Sequence, residues 1–214
     1  SFNTGCFKSN MYYNKIMKTK KGEKEKLRLV ILEKAISYFK KNGRAGSASE
    51  DLMQNMGLTR GALYSHFKSK DDLFAQAVSH DLDRLEEITT LIIKRDGPMA
   101  LRTMIEAHLS ENNLTDIENS CAFTSLSSDM NRSKAAHRGI YEAHMNRIYA
   151  LFAMALHEQF PQDTSQQSYR KALNLYSGLV GTLSMARTMK DRDKALQILK
   201  SGREFLISQF TRAG

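Results

Sequence analysis

The chain has 214 residues, 12 Gly, 2 Pro, no Trp and a formal net charge of +9. That length holds one or two domains and can bury a sizeable core. Two cysteines, Cys6 and Cys121, make no disulfide framework, so a reducing cytoplasm is the expected setting. The longest apolar run, residues 148–156, is far short of the ~18 needed for a membrane span, and no secretory signal pattern is present.

Leu, Ala, Met, Lys and Glu dominate, and alternating β-branched runs are nearly absent, so an all-α fold is expected. Residues 1–22 show no helical period and are expected to form a flexible basic tail, with Met17 a plausible natural start. Lys18, Lys20, Lys21, Lys24 and Lys26 form a basic arm, either solvated or touching phosphates or a minor groove. From Glu23 to Lys41, Leu27, Val30, Ile31, Ala35, Tyr38 and Phe39 recur at helical spacing, and Gly43 ends the helix.

The next stretch, Ser47 to Lys70, encodes two short helices and a turn. Ser47 or Ser49 caps the first, and Leu52, Met53 and Met56 give it a buried side. Gly57 follows, where a helix end favours positive φ. Thr59 caps a second helix, Arg60 to Phe67, whose Leu63 and Phe67 face inward. Arg60, Ala62, Tyr64, Ser65 and His66 point outward, small or hydrogen-bonding, as a helix pressed into a DNA major groove requires. A solvated surface helix is the plain alternative, and His66 can instead be a core histidine. Residues 1–80 hold 15 Lys+Arg against 7 Asp+Glu, whereas residues 81–214 hold 17 against 16. The positive charge therefore belongs to the half with the helix-turn-helix pattern, and nucleic acid is its natural partner.

Ser69 caps a long helix from Asp71 to about Lys94, with Leu73, Phe74, Ala77 and Val78 packing on the small domain and Leu82, Leu85, Ile88 and Ile92 continuing the stripe. The Asp96-Gly97-Pro98 turn stops it. Helices are then expected over Met99–Asn112, Cys121–Met130, Lys134–Phe160, Gln167–Met189 and Asp191–Phe210.

Residues 57–70, Gly-Leu-Thr-Arg-Gly-Ala-Leu-Tyr-Ser-His-Phe-Lys-Ser-Lys, resemble the signature of the tetracycline-repressor (TetR) family of bacterial transcription regulators at nearly every position. Residues 31–39 and Asn42-Gly43 also resemble the family's first helix and its terminator. Ser49, where the family usually has Val, Met or Ile, and the acidic Glu50 depart from the pattern. The resemblance implies a flexible tail over 1–22, a DNA-binding domain over 23–75 and a helical effector-binding and dimerisation domain over 76–214. It implies a double-stranded operator as partner, a small-molecule effector and a homodimer. By the same resemblance Ser47, Thr59, Tyr64, His66 and Lys70 contact phosphates, while Arg60, Gly61, Ala62 and Ser65 lie nearest the bases.

The last two helices would pair with their copies through Tyr176, Gly178, Leu179, Val180, Leu183 and Ala186, unless these form ordinary core. Effector-lining candidates are Met104, His108, Cys121, Phe123, Met130, Tyr141, His144, Phe152 and Tyr176, a mixture of Met, aromatic and polar groups suited to an adaptable apolar pocket. Cys121, at a helix start, is either a buried hydrophobe or a redox or electrophile sensor. His108, His137 and His144 lack ligand spacing with acids or thiols, so neither a metal nor a cofactor is expected. No phosphate loop, dinucleotide fingerprint or hydrolase motif is present, so no enzymatic activity is expected.

Overall fold

The computed structural model describes residues 20–46 and 49–212. Every regular element among them is helical. The helix α1, Lys20–Asn42, starts earlier than its apolar period, so residues 20–22 are helical rather than part of a flexible tail. It buries Ile31, Leu32, Ala35, Ile36 and Phe39, while Leu27 and Val30 at the edge of the stripe stay exposed. Gly43, at φ +68°, ends it by donating to the Phe39 carbonyl at 2.8 Å.

The helices α2, Ser49–Met56, and α3, Arg60–Tyr64, follow. Between them Leu58 N–H reaches the Met53 carbonyl at 3.0 Å and Gly57 N–H the Gln54 carbonyl at 3.1 Å. That double bond pattern needs a left-handed residue, and Gly57 supplies it at φ +68°. Leu52, Met53, Met56, Leu63 and Phe67 are all buried against α1, as their spacing demands. The helix α3 is shorter than its pattern suggests: Phe67 is carried by a following turn, its N–H on the Leu63 carbonyl.

The helix α4, Lys70–Asp96, runs from this small domain into the remainder. Ser69 Oγ accepts from Asp72 N–H at 3.1 Å, and Asp71 and Asp72 complement the helix dipole. Leu73, Phe74, Ala77, Val78 and Leu82 are buried, but Ile88 is 45% exposed, so the expected inward stripe drifts outward at the far end. Gly97, at φ +50°, and a 3-10 turn over Gly97–Met99 stop the helix.

The second domain contains α5, Ala100–His108; a single turn α6, Asn112–Thr115; α7, Ala122–Asn131; α8, Ala135–Gln159; α9, Ser165–Arg187; and α10, Arg192–Phe210. The helix α5 ends four residues before the expected Asn112, where Asn113 Nδ2 donates to the Ala107 and His108 carbonyls, both at 3.0 Å. The helix α9 opens with a reciprocal Thr164–Gln167 capping box and packs on both α8 and α10.

The two domains are clamped where α1 ends. Lys40 Nζ lies 2.8 Å from Asp81 Oδ2 of α4, with both side chains buried. Arg44 pairs with Asp71 at 3.2 Å, donates its backbone N–H to Asp129 of α7 at 3.3 Å and lies over the Phe74 ring. Phe39 and Phe74 meet edge to face, their centroids 5.1 Å apart.

Candidate functional site

The outward face of α3 and its flanks form the first candidate site. Thr59 Oγ1 accepts from Ala62 N–H at 3.2 Å, which fixes the start of a helix only five residues long. Its hydroxyl proton stays free to reach an acceptor. Arg60, Gly61, Tyr64 and Ser65 are exposed, and Ala62 is half-buried. The Arg60 guanidinium sits 5.9 Å over the Tyr64 ring, so the two side chains share one surface. Ser65 Oγ donates to the Ala62 carbonyl at 2.7 Å. No Cβ is missed at Gly61: the space beside it is open, so a polynucleotide backbone can come close there. Lys70 opens α4 beside Arg44, Asp71 and Asp129, and burial together with the neighbouring Arg44 lowers its pKa. Ser47 lies outside the described residues.

His66 takes an intermediate position. It is half-buried, and its Nδ1 is shielded without a hydrogen-bond partner. Burial, then Lys24 and Arg28, lower its pKa, so the ring is neutral at neutral pH. These two cations place the amino-terminal part of α1 beside the turn that follows α3, a proximity that linear spacing does not reveal. Arg28 also stacks on Phe67 and bonds to Gln76 of α4.

The expected effector-lining residues fall into separate groups. Tyr176 is the centre of one: its ring meets Phe152 at 5.5 Å, Phe123 at 6.1 Å and Tyr149 at 5.9 Å, and its hydroxyl lies 3.3 Å from Cys121 Sγ. Burial pushes the Tyr176 phenol well up, so it stays neutral. Met104 and Met130 are buried in the core, and Tyr141 stands near Arg44 and Ser133. His108 belongs with Arg187.

His144 belongs to a fourth group. Its Nδ1 lies 2.5 Å from Glu86, and its Nε2 is 2.9 Å from Ser79. With Asp83 these residues bring three potential metal ligands within 4.8 Å, which sequence spacing missed because they are some 60 residues apart. Arg147, 2.7 Å from both Glu86 and His144, already supplies a cation there. A cleft of about 570 Å³ lies instead on the flank of the small domain, between α1, Asn55 and Glu118.

Of the expected dimer residues, four are buried within the chain, and Gly178 and Val180 are half-buried. Tyr176, Leu179, Leu183 and Ala186 are fully buried within one chain, and Val180 packs against the same core. At Gly178 an added Cβ would lie 2.9 Å from Leu206, so this glycine serves the α9–α10 contact. The physical reason is that α9 is covered on several sides by its own chain. Its apolar residues on two faces reflect intramolecular neighbours.

Comparison with known proteins supports the small domain's reading. The profile of bacterial regulatory proteins of the tetR family matches residues 31–77. The HTH-type transcriptional regulator AcrR of Shigella flexneri is 29% identical over 98 residues, 45% of this chain and 46% of that protein. An uncharacterized HTH-type regulator of Bacillus subtilis, YfiR, is 32% identical over 66 residues, 31% of this chain and 32% of that protein. The chain thus matches less than half the length of these curated relatives. Likeness of fold extends further. A TetR-family regulator from Agrobacterium tumefaciens superposes with a TM-score of 0.75 at 18% identity, covering 88% of this chain and all of that one. Reduced NemR of E. coli does so with 0.73 at 15% identity, covering 86% and 96%.

Proposed function

We infer that this chain, which belongs to the TetR family of bacterial regulatory proteins, is a DNA-binding transcription regulator that acts as a ligand-responsive repressor. The observation that carries the reading is the α3 surface. Thr59 caps a five-residue helix held by the Gly57 turn, and Arg60, Tyr64 and Ser65 stand exposed on it. Arg60 is the base reader, suited to a guanine edge, and Thr59, Tyr64 and Lys70 hold phosphates. His66, with Nδ1 shielded, contacts a phosphate only through Nε2.

Two copies bind a near-palindromic operator, their α3 helices entering major grooves about 34 Å apart. The apolar side chains left exposed on α9 and α10, Tyr169, Met185 and Phe205, are the contact between copies, with Gly181 allowing close approach. A small molecule in the second domain acts through α4. It shifts the equilibrium only by its differential affinity for the two spacings of the recognition helices. The buried Lys40–Asp81 pair and the Arg44 cluster transmit that shift to α1.

The test is selection of bound duplexes from a random pool, then a salt titration of the winner. A near-palindrome whose affinity falls steeply with salt is the expected result. Weak, sequence-blind binding in the presence and absence of candidate ligands would refute the reading.

A further inference from the structure

Inside the second domain several polar groups converge on a guanidinium that has no ion-pair partner among the described residues. Arg187, the last residue of α9, is half-buried, and no carboxylate among the described residues lies within ion-pair distance of it. Its guanidinium donates only to neutral acceptors: the Asn113 carbonyl, at 3.0 Å from Nε and 2.5 Å from Nη2, and Ser125 Oγ at 3.1 Å. Cys121 and Asp116 raise its pKa from beyond ion-pair distance, and burial outweighs both in lowering it.

Two further groups beside it lack a partner. His108 Nε2 is shielded from solvent and makes no hydrogen bond. Burial first, and then the Arg187 charge, lower this imidazole to about 4, so it is neutral at neutral pH and can donate one N–H. Asn113 joins the two, donating to the His108 carbonyl while its own carbonyl accepts from Arg187. Thr124 Oγ1 is likewise buried and unsatisfied. It precedes Ser125, and its carbonyl accepts from Ser184 Oγ, three residues before Arg187. Buried polar groups without partners are costly, so the two beside this guanidinium point to one missing partner, a negatively charged acceptor.

We propose that Arg187, His108 and Thr124 form the binding site for a small organic carboxylate, the carboxylate paired to the guanidinium and its hydrocarbon part lying toward Cys121 and the Tyr176 ring cluster. The planar guanidinium matches a carboxylate edge better than an ammonium would. Cys121 Sγ, 3.3 Å from the Tyr176 hydroxyl, connects the polar cluster to the aromatic one. This deepens, and rests on, the reading that the second domain takes a ligand.

The test uses the full chain, with benzoate, phenylacetate and hexanoate as probes and benzamide as the neutral control. Calorimetric titration should show benzoate binding about tenfold or more tighter than benzamide, the range of a charge-assisted bond. Arg187→Gln should abolish that difference. Because Arg187 also holds Asn113 and Ser125, the milder Thr124→Val and His108→Phe are measured too, and each should weaken benzoate several-fold. Equal binding of benzoate and benzamide would overturn the proposal. So would no binding of any of the three carboxylates up to ~10 mM, or unchanged benzoate affinity in both mild variants. Operator affinity is read separately. Arg187-dependent benzoate binding without any effect on DNA removes the effector reading and keeps the site. DNA release by a neutral compound, with no carboxylate bound, does the reverse.

Discussion

Asp81→Ala should be among the most damaging single changes in the clamp between the domains. Asp81 is 5% exposed and the Lys40 side chain is 0% exposed, with Nζ and Oδ2 2.8 Å apart. Unit charges at that distance attract by about 6 kcal/mol at an effective dielectric of about 20, against a desolvation penalty of several kcal/mol per ion. The pair is thus worth little against an apolar replacement, but removing one member strands the other. Asp81→Ala leaves Lys40 buried without its carboxylate, and the expected loss is about 3–5 kcal/mol. Lys40→Met is milder, roughly 1–2 kcal/mol, because Asp81 keeps Arg84 at 3.0 Å, on a half-exposed side chain. The double variant Lys40→Met/Asp81→Leu should return to within about 1 kcal/mol of wild type, well short of the summed losses of the two single variants. Urea unfolding followed by circular dichroism measures all three. A loss below about 1 kcal/mol in Asp81→Ala, or equal losses in the two single variants, would refute the asymmetry argued from Arg84.

Other expectations concern the site and the pH dependence. The folded-state pKa of His108, about 4, lies below its ordinary 6.5, so the unfolded chain binds more protons between those values. Stability from this group is complete above pH 6.5 and is lost as pH falls toward 4, a change of about 3 kcal/mol. His108→Gln should flatten that part of the pH profile, and an unchanged slope would count against a buried neutral ring. Thr59→Ala removes the cap of α3 and should cost about 1 kcal/mol of stability, with a loss of operator affinity beyond that of the exposed control Gln54→Ala. Tyr64→Phe should weaken binding to specific and random duplexes alike. Arg60→Ala should relax preference at one base pair by about 1–3 kcal/mol, and equal loss on both duplexes would remove it as a base reader. Met185→Glu with Phe205→Glu should yield monomers in light scattering, and a persisting dimer would move the interface off α9 and α10.

The recognition element was legible because its determinants are local. A Gly at positive φ, a Thr cap and two apolar residues four apart fix α2, the turn and α3 within some 20 residues, so they stand in the sequence as a pattern. The all-α class, the turn at Gly97 and the inward Leu63 and Phe67 were equally visible. Even here the short length of α3 was not. The period of Leu63 and Phe67 also fits a turn that places Phe67 without continuing the helix.

What α9 packs against was not legible. Its apolar residues on two faces fit a partner copy as well as its own chain. Only the packing of α8 and α10 shows that Leu179, Leu183 and Ala186 are spent internally, leaving Met185 and Tyr169 outside. The same holds for the charged groups. Lys40 with Asp81, Glu86 with His144 and Arg147, and His108 with Arg187 are separated by 41 to 79 residues. Each side chain alone looks like a solvated charge or an ordinary polar residue. Local backbone preference and helical period are properties of neighbouring residues, so the sequence by itself determined the helices and the helix-turn-helix pattern. Burial and the pairing of distant charges depend on which helix faces end up opposed, and only the tertiary structure decided those.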